Sequence, residues 1–284
     1  MSWYTKYLTV YGKSLNEIDD FDFSVVRNKI TALQSDKPLV SIVLASYNEE
    51  KHLLACLWSL SELQVSYPIE IIGVDNNSTD RTKEIYEKLN VPCFEEANVG
   101  FGYARRCGLL NAKGTYLFSI DSDTLYPPLY IQTLTDALKK KGVVAVSGTW
   151  SFYENKANSK LTLSIYTFFR DIYLRLLRFK RPEQAVRAMV LGYKREYGLK
   201  VGIRTDITRG VDDGFLIYNM KKYGKVVFIR NKKVCAITGY GTLGESSLLI
   251  TLVAHIWRDL GKLRLAVTKE KNDYNVPKEE KNNE

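Results

Sequence analysis

Apolar residues along this chain gather in short solid runs that alternate with longer stretches spaced at the helical period. Leu39 to Ala45 (LVSIVLA) and Ile69 to Val74 (IEIIGV) are short, continuous and rich in branched side chains, which predicts buried strands. Between them Leu53, Leu54, Leu57, Trp58 and Leu60 recur near 3.6-residue spacing and predict a helix over Glu49 to Leu63. The alternation continues. A helix capped at Ser78 or Thr79 runs to about Leu89, a strand follows at Val91–Phe94, and a helix at Phe101–Ala112. A strand at Tyr116–Ile120, a helix at Leu129–Lys140 and a fifth strand at Val143–Trp150 complete the series. Alternation of this kind implies parallel strands joined by right-handed crossovers, so the fold class is α/β with a doubly wound, mostly parallel sheet. After Trp150 the pattern changes to long helices, a hairpin-like pair at Val226–Ile229 and Val234–Ile237, and a closing helix near Glu245–Val267. The expected organisation is a leader over 1–37, a main domain over 38–243 with halves 38–150 and 151–243, and a helix with a charged tail over 244–284.

With 284 residues, 45% of them hydrophobic, the chain can bury a sizeable core. Its four cysteines form no C-x-x-C pair, which predicts reduced thiols rather than a disulfide framework or a zinc site. The opening MSWYTKYLTVYGK has no signal-peptide core, and no run approaches the ~18 apolar residues that span a bilayer. The expectation is a cytoplasmic protein, peripheral on the inner face of the plasma membrane if it meets a membrane at all. The net charge of +9 is unevenly placed: Lys160 to Arg204 holds eleven Lys/Arg against three acids, a surplus of eight. There Arg170, Arg175, Arg178, Lys180 and Arg181 interleave with Ile165, Phe168, Phe169, Ile172, Leu176 and Leu177. That basic amphipathic pattern makes an anionic membrane surface a candidate partner through 160–204. No nucleic-acid motif accompanies the charge, so no nucleic acid is expected as a partner.

Chemistry-bearing residues cluster where the strands end. Asp121-Ser122-Asp123 follows the strand Tyr116–Ile120, so two carboxylates project at the carboxyl edge of the sheet, where open α/β sheets bind ligands. Oxygen ligands so placed suit a hard divalent cation that in turn holds a diphosphate. Three further loops leave the same edge: Ala45-Ser46-Tyr47-Asn48-Glu49, Asp75-Asn76-Asn77-Ser78-Thr79-Asp80, and Asn98 to Arg106. They offer acceptors for a base and ribose and an arginine pair for phosphate charge. Taken singly, each has a plainer explanation as a helix start, a turn or a solvated helix face. Four on one crevice in this order do not.

In that order, VSIVLASYNEE (40–50), VDNNSTDRT (74–82), NVGFGYARRCGL (98–109), GTYLFSIDSDT (114–124) and RGVDDGFL (209–216) resemble the family 2 glycosyltransferases of the GT-A fold. The resemblance covers roughly residues 39–230. It implies an enzyme that moves a sugar, with inversion, from a nucleotide-sugar to a hydroxyl of a glycan or lipid-linked acceptor, as in cell-surface polysaccharide biosynthesis. UDP is the expected nucleotide, and Mg²⁺ or Mn²⁺ the expected cofactor. It also implies nucleotide contacts at Ala45, Tyr47, Asn48, Glu49, Asp75, Asn77, Asn98, Arg105, Asp121 and Ser122. Asp123 becomes the metal ligand, with Asp121 beside it and nearer the ribose, and Asp213 the general base, with Asp212 as its alternate. Arg106 stands where the family often has Asn. The late-strand histidine that can complete the metal shell has Thr238 or Gly239 near its place. The alternatives are a sugar-1-phosphate nucleotidyltransferase, disfavoured because its Gly-rich first loop is replaced by ASYNEE, and a nucleotide-sugar-binding module without catalysis.

Overall fold

The computed structural model describes residues 2–18, 21–206, 212–240 and 248, apart from the side chains of Lys180 and Asp212. In chain order the elements are α1 (Phe23–Leu33), β1 (Val40–Ser46), α2 (Glu50–Leu60), β2 (Ile69–Asp75), α3 (Thr82–Lys88) and β3 (Cys93–Glu95). Next come α4 (Phe101–Asn111), β4 (Tyr116–Asp121), β5 (Thr124–Leu125), α5 (Tyr130–Leu138), β6 (Val143–Ser147) and β7 (Thr149–Phe152). The last are α6 (Lys160–Lys180), β8 (Leu191–Lys194), α7 (Arg195–Val201), α8 (Asp212–Met220), β9 (Lys225–Phe228) and β10 (Cys235–Thr238).

Seven strands form one sheet in the order β3-β2-β1-β4-β8-β6-β9. β8 runs antiparallel to both neighbours, and every other pairing in this sheet is parallel. Alternation along the strands sends side chains to two layers. Val40, Ile42 and Leu44 of β1, with Phe118 and Ile120 of β4, pack into a core shared with α1, α2 and α5. Val43 and Leu117 point the other way, into a second core with Ala104 and Leu109 of α4 and Leu216 of α8. Helices on both faces of a mostly parallel sheet are the doubly wound arrangement that the periodicity predicts.

Three expectations are corrected. The run Val143–Trp150 is two strands: the chain breaks at Gly148, whose N–H reaches Val190 O at 2.9 Å, and β7 continues in a separate three-stranded sheet, β5-β10-β7. Gly148 sits against the Val234 carbonyl and the Tyr130 ring, where a side chain would collide. The pair near Val226 and Val234 is no hairpin, because β9 joins β6 in the main sheet and β10 joins β7 in the small one. α3 begins at Thr82 rather than after Ser78 or Thr79, and it is the Asp80 carboxylate that accepts the Thr82 N–H at 3.0 Å. The strand β8 inside the basic segment went unforeseen. The expected closing helix and the tail lie outside the described residues.

Residues 2–18 and 21–37 run against the body, with Tyr7, Val10, Val26 and Ile30 buried in the core of α2 and β2. One polar anchor secures them: Glu62 takes an ion pair from Lys6, a hydrogen bond from the Tyr7 hydroxyl at 2.9 Å and a second ion pair from Lys29 at 3.3 Å. Burial pushes the Glu62 carboxyl up, but the bonds from Lys6 and Tyr7 together outweigh it and hold its pKa below the ordinary value. A carboxylate depressed on folding contributes stability above its unfolded pKa and loses it as pH falls through the folded one. Glu62→Gln is therefore expected to reduce stability by ~1 kcal/mol at neutral pH, with the gap to wild type closing in acid. Thermal melts across pH measure this directly.

Candidate active site

The sheet register builds the crevice. β1 pairs with β2 so that Ser46 lies opposite Asp75, and with β4 so that Ala45 lies opposite Asp121. Asp75 and Asp121 therefore end adjacent strands on either side of β1, about 10 Å apart from two strand spacings. That separation suits opposite ends of a nucleoside. Asp75 is buried; its Oδ2 accepts the Ser78 N–H at 3.4 Å, while its Oδ1 is buried with no partner among the described residues. An orphaned buried acceptor at the crevice floor calls for a donor from a ligand.

The loop after β1 is locked to the loop after β2. Asn48 adopts a left-handed backbone, φ 55°, and its Oδ1 accepts the Thr79 N–H at 2.8 Å. The amides of Asn48, Glu49 and Glu50 donate to Ser78 Oγ, Thr82 Oγ1 and Asp80 Oδ2 at 2.9, 2.8 and 3.0 Å. Thus Ser78 and Asp80 shape the first loop rather than only starting a helix. Tyr47 and Asn77 are exposed at the mouth, Asn77 also in a left-handed conformation at φ 62°. Asn76, which no motif singled out, ties in the third loop: it donates to the carbonyls of Glu96 and Asn98 at 3.1 and 2.7 Å and accepts the Gly100 N–H at 2.7 Å. Asn98 contributes that carbonyl, while its side chain turns to Glu96.

The acidic motif divides as its register dictates. Ser122 is buried and its hydroxyl donates to Ala45 O at 3.2 Å, a joint between strands rather than a ligand-facing group. The Asp121 side chain is 40% exposed on the crevice. Asp123 is held from several sides: Thr124 Oγ1 donates to its Oδ1 at 3.0 Å, and the Tyr11 hydroxyl donates to its backbone carbonyl at 2.7 Å. Tyr11 comes from the leader, 112 residues away in sequence, and packs on the His52 ring at 4.7 Å. His52, on α2, shares a hydrogen bond of 2.9 Å with Glu49. Burial, followed by the negative charge of Glu49, raises the pKa of the Asp123 carboxyl.

Those are conditions a divalent cation fits. Two carboxyl groups stand one residue apart, and the half-buried Asp123 lies where extra positive charge would offset its desolvation. Among the described residues no three His, Cys, Asp or Glu side chains converge as a metal cage. Mg²⁺-type sites with one or two carboxylates completed by substrate phosphates need none. The late strand does run beside the motif, since β10 pairs with β5 and the Thr238 and Thr124 hydroxyl oxygens lie 3.1 Å apart. Gly239 lies against the Tyr11 hydroxyl. His255 lies outside the described residues.

The second acidic pair arrives from α8. Asp213 Oδ1 accepts Arg105 Nη1 at 3.0 Å, and its Oδ2 accepts the Ala188 N–H at 2.7 Å. Arg105 Nη2 lies 3.6 Å from Asp121 Oδ1, so one guanidinium bridges the first acidic motif and the second. Asp212 heads α8, and its side chain lies outside the described set. Neither the Ala188 amide nor Tyr11 carried any local sequence signal; both are long-range partners supplied by the tertiary fold.

Asp75, Asp121 and Asp123 at the carboxyl edge of a doubly wound sheet, with Asp213 held across from them through Arg105, match the arrangement of a GT-A fold. Among solved structures the fold is shared with "Mannosyltransferase PcManGT from Pyrobaculum calidifontis in complex with GDP-Man and Mn2+", at TM-score 0.57 and 18% identity, over 78% of this chain and 66% of that one. The profile of Glycosyl transferase family 2 matches residues 41–194, and the chain belongs to that family. The chain is 27% identical over 212 residues to Glycosyltransferase GlyA of Streptococcus pneumoniae serotype 4, a match covering 69% of this chain and 30% of that protein. It is 31% identical over 122 residues to Glycosyltransferase GlyG of the same organism, covering 41% of this chain and 40% of that one. It thus spans less than half the length of these curated relatives.

Proposed function

We propose that this protein is an inverting glycosyltransferase that moves a sugar from a nucleotide-sugar, expected to be a UDP-sugar, to a hydroxyl of a glycan or lipid-linked acceptor. The observation that carries the reading is Arg105 bonded at once to Asp121 and Asp213, which puts the donor-side and acceptor-side carboxylates one guanidinium apart. Asp75, with its orphaned Oδ1, takes an N–H of the base. Asn48, Glu49 and the exposed Tyr47 and Asn77 surround the nucleoside, and Asp121 meets the ribose. Asp213 accepts the proton of the acceptor hydroxyl as that oxygen bonds to the anomeric carbon. The bond from the carbon to the diphosphate breaks on the opposite face, and its electron pair leaves with the diphosphate. The transition state carries oxocarbenium character, as in glycoside hydrolysis. Arg105 supplies positive charge beside the departing diphosphate.

Asp123, with Asp121, would hold Mg²⁺ or Mn²⁺, which when bound acts as a Lewis acid on the diphosphate. PcManGT, which shares the fold, was solved with GDP-Man and Mn2+, a donor and a metal of the proposed kinds. The half after Trp150 forms the acceptor side, and the leader acts as a brace that brings Tyr11 to Asp123. No described helix is long and apolar enough to cross a membrane. We place the protein in the cytoplasm, peripheral on the anionic inner leaflet.

A panel of nucleotide-sugars read by nucleoside diphosphate release tests the whole reading. Release is expected with one donor class, lost on chelation with EDTA and restored by Mn²⁺. Release indifferent to EDTA would remove the metal from the proposal, and absence of release with every donor would leave only a binding module.

A further inference from the structure

We propose that the outward face of α6 is a membrane-docking surface that seats in the headgroup boundary of an anionic leaflet. The basic amphipathic pattern makes an anionic membrane surface a candidate partner for 160–204. The structure turns two of the arginines of this helix inward. Arg170 is buried, with its guanidinium 4.4 Å from the Trp150 ring centre and a hydrogen bond of 2.6 Å to the Trp150 carbonyl. Arg178 lies over the Phe228 ring at 4.2 Å, and burial lowers its pKa to about 10. What α6 shows to solvent is mostly apolar. Leu161, Phe168, Leu176 and Phe179 are 70%, 62%, 69% and 90% exposed, and Ile165 and Ile172 fill the gaps between them.

These six residues follow one another at steps of three or four, so they form a single stripe about 27 Å long at the 1.5 Å rise of a helix. A contiguous apolar stripe on a surface helix marks an interaction site. Charge decides the occupant. Lys160, Arg175 and Arg181 are exposed along or at the ends of α6. The one acid of the helix, Asp171, is engaged with Arg170 at 2.8 Å and with Arg230. A second copy of the same face, brought up by a two-fold axis, would oppose these cations to themselves. An anionic leaflet complements them, while its acyl boundary receives the leucines and phenylalanines.

The placement also has a consequence for chemistry. α6 runs into the turn Pro182–Gln184, where buried Glu183 accepts from Arg181 at 3.4 Å and from Lys221 at 3.2 Å, just past the end of α8. A docked α6 therefore holds the helix that carries Asp213 near the lipid surface, as a lipid-linked acceptor requires. The docking surface extends the membrane part of the proposed function and does not depend on the transfer chemistry.

Vesicle co-sedimentation of the full chain tests it. Binding is expected to phosphatidylcholine vesicles containing phosphatidylglycerol, weaker binding to phosphatidylcholine alone, and further weakening with salt. The double variant Phe168→Glu/Phe179→Glu is expected to reduce partitioning about tenfold or more, with an unchanged melting temperature. Arg175→Glu should lower binding only to the anionic vesicles. No binding by the wild-type chain, or binding unchanged in the double variant, overturns the proposal. So does light scattering that shows a dimer dissolved by the same double variant, which would assign the stripe to a second copy. Protection of residues 161–179 in hydrogen exchange without vesicles would instead assign it to another part of this chain.

Discussion

Asp213→Asn is expected to lower sugar transfer by about 10²–10⁴-fold while donor binding stays within a factor of about two of wild type. The proton of the acceptor hydroxyl needs a carboxylate within reach, and a carboxamide has no basic oxygen to offer. Donor binding survives because the proposed base contact at Asp75 and the acidic motif at Asp121 lie on other elements, β2 and β4. The substitution also has a structural signature. Both carboxylate oxygens of Asp213 accept hydrogen bonds, Oδ1 from Arg105 and Oδ2 from Ala188 N–H. An amide has one accepting oxygen, so it can satisfy only one of these donors and turns its NH₂ against the other. The charge of Arg105 favours the oxygen on its side, leaving Ala188 N–H unsatisfied at a cost of about 1–3 kcal/mol. Calorimetric titration of nucleoside diphosphate, turnover with the identified donor, and a thermal melt separate the three effects. Turnover like wild type would remove Asp213 as the base. Lost turnover together with lost donor binding would mean that the pocket, not the base, had failed.

The first half of the fold was legible because its signals are local. Solid apolar runs mark β1, β2 and β4, and each helix between them has its own period. The departures occur where tertiary partners decide. Position 148, where β6 ends, takes glycine because neighbouring groups leave no room for a side chain, a fact no window of sequence contains. β8 is four residues long and is made a strand by pairing with β4 and β6 on either side. The arginines of α6 show the same limit. Their spacing was plain, but whether Arg170 faces solvent or Trp150 depends on which side of the helix meets β7.

The site divides along the same line. Four strand-end loops could be read as convergent because parallel topology places all their carboxyl ends on one edge. The loops were legible as a set, whereas the labour within each was not. Ser122 joins two strands, Asn76 fastens the third loop, and Tyr11 reaches Asp123 from a segment that read as a leader. A hydrogen bond between residues 112 apart leaves no periodic trace.

Arg105→Met is expected to reduce stability by about 3–5 kcal/mol, more than a surface arginine could, because it takes a charged partner from Asp213 in a largely buried position. The Arg105 and Asp213 side chains are only 11% and 15% exposed, so solvent cannot take over the role of the missing partner. Removing both charges is a different matter: a buried ion pair replaced by apolar groups of similar volume is often near neutral. The double variant Arg105→Met/Asp213→Leu should therefore recover part of the stability lost in Arg105→Met, the remainder being the cost of the Ala188 N–H that loses its acceptor. Its coupling energy should stand clearly above the roughly 0.5 kcal/mol scatter of independent sites. Donor affinity should not recover with it, since the guanidinium beside Asp121 is absent in both variants. Arg105→Lys adds a further distinction. One ammonium cannot span Asp121 and Asp213 as a planar fork does, so that variant should keep most of the stability yet bind the donor less tightly. Denaturant unfolding and diphosphate titration on wild type, Arg105→Met, Asp213→Leu and the double variant complete the cycle, with Arg105→Lys measured beside them. Additive stabilities would show that Arg105 and Asp213 act independently. Unchanged donor affinity in Arg105→Met would confine Arg105 to bracing the acceptor side.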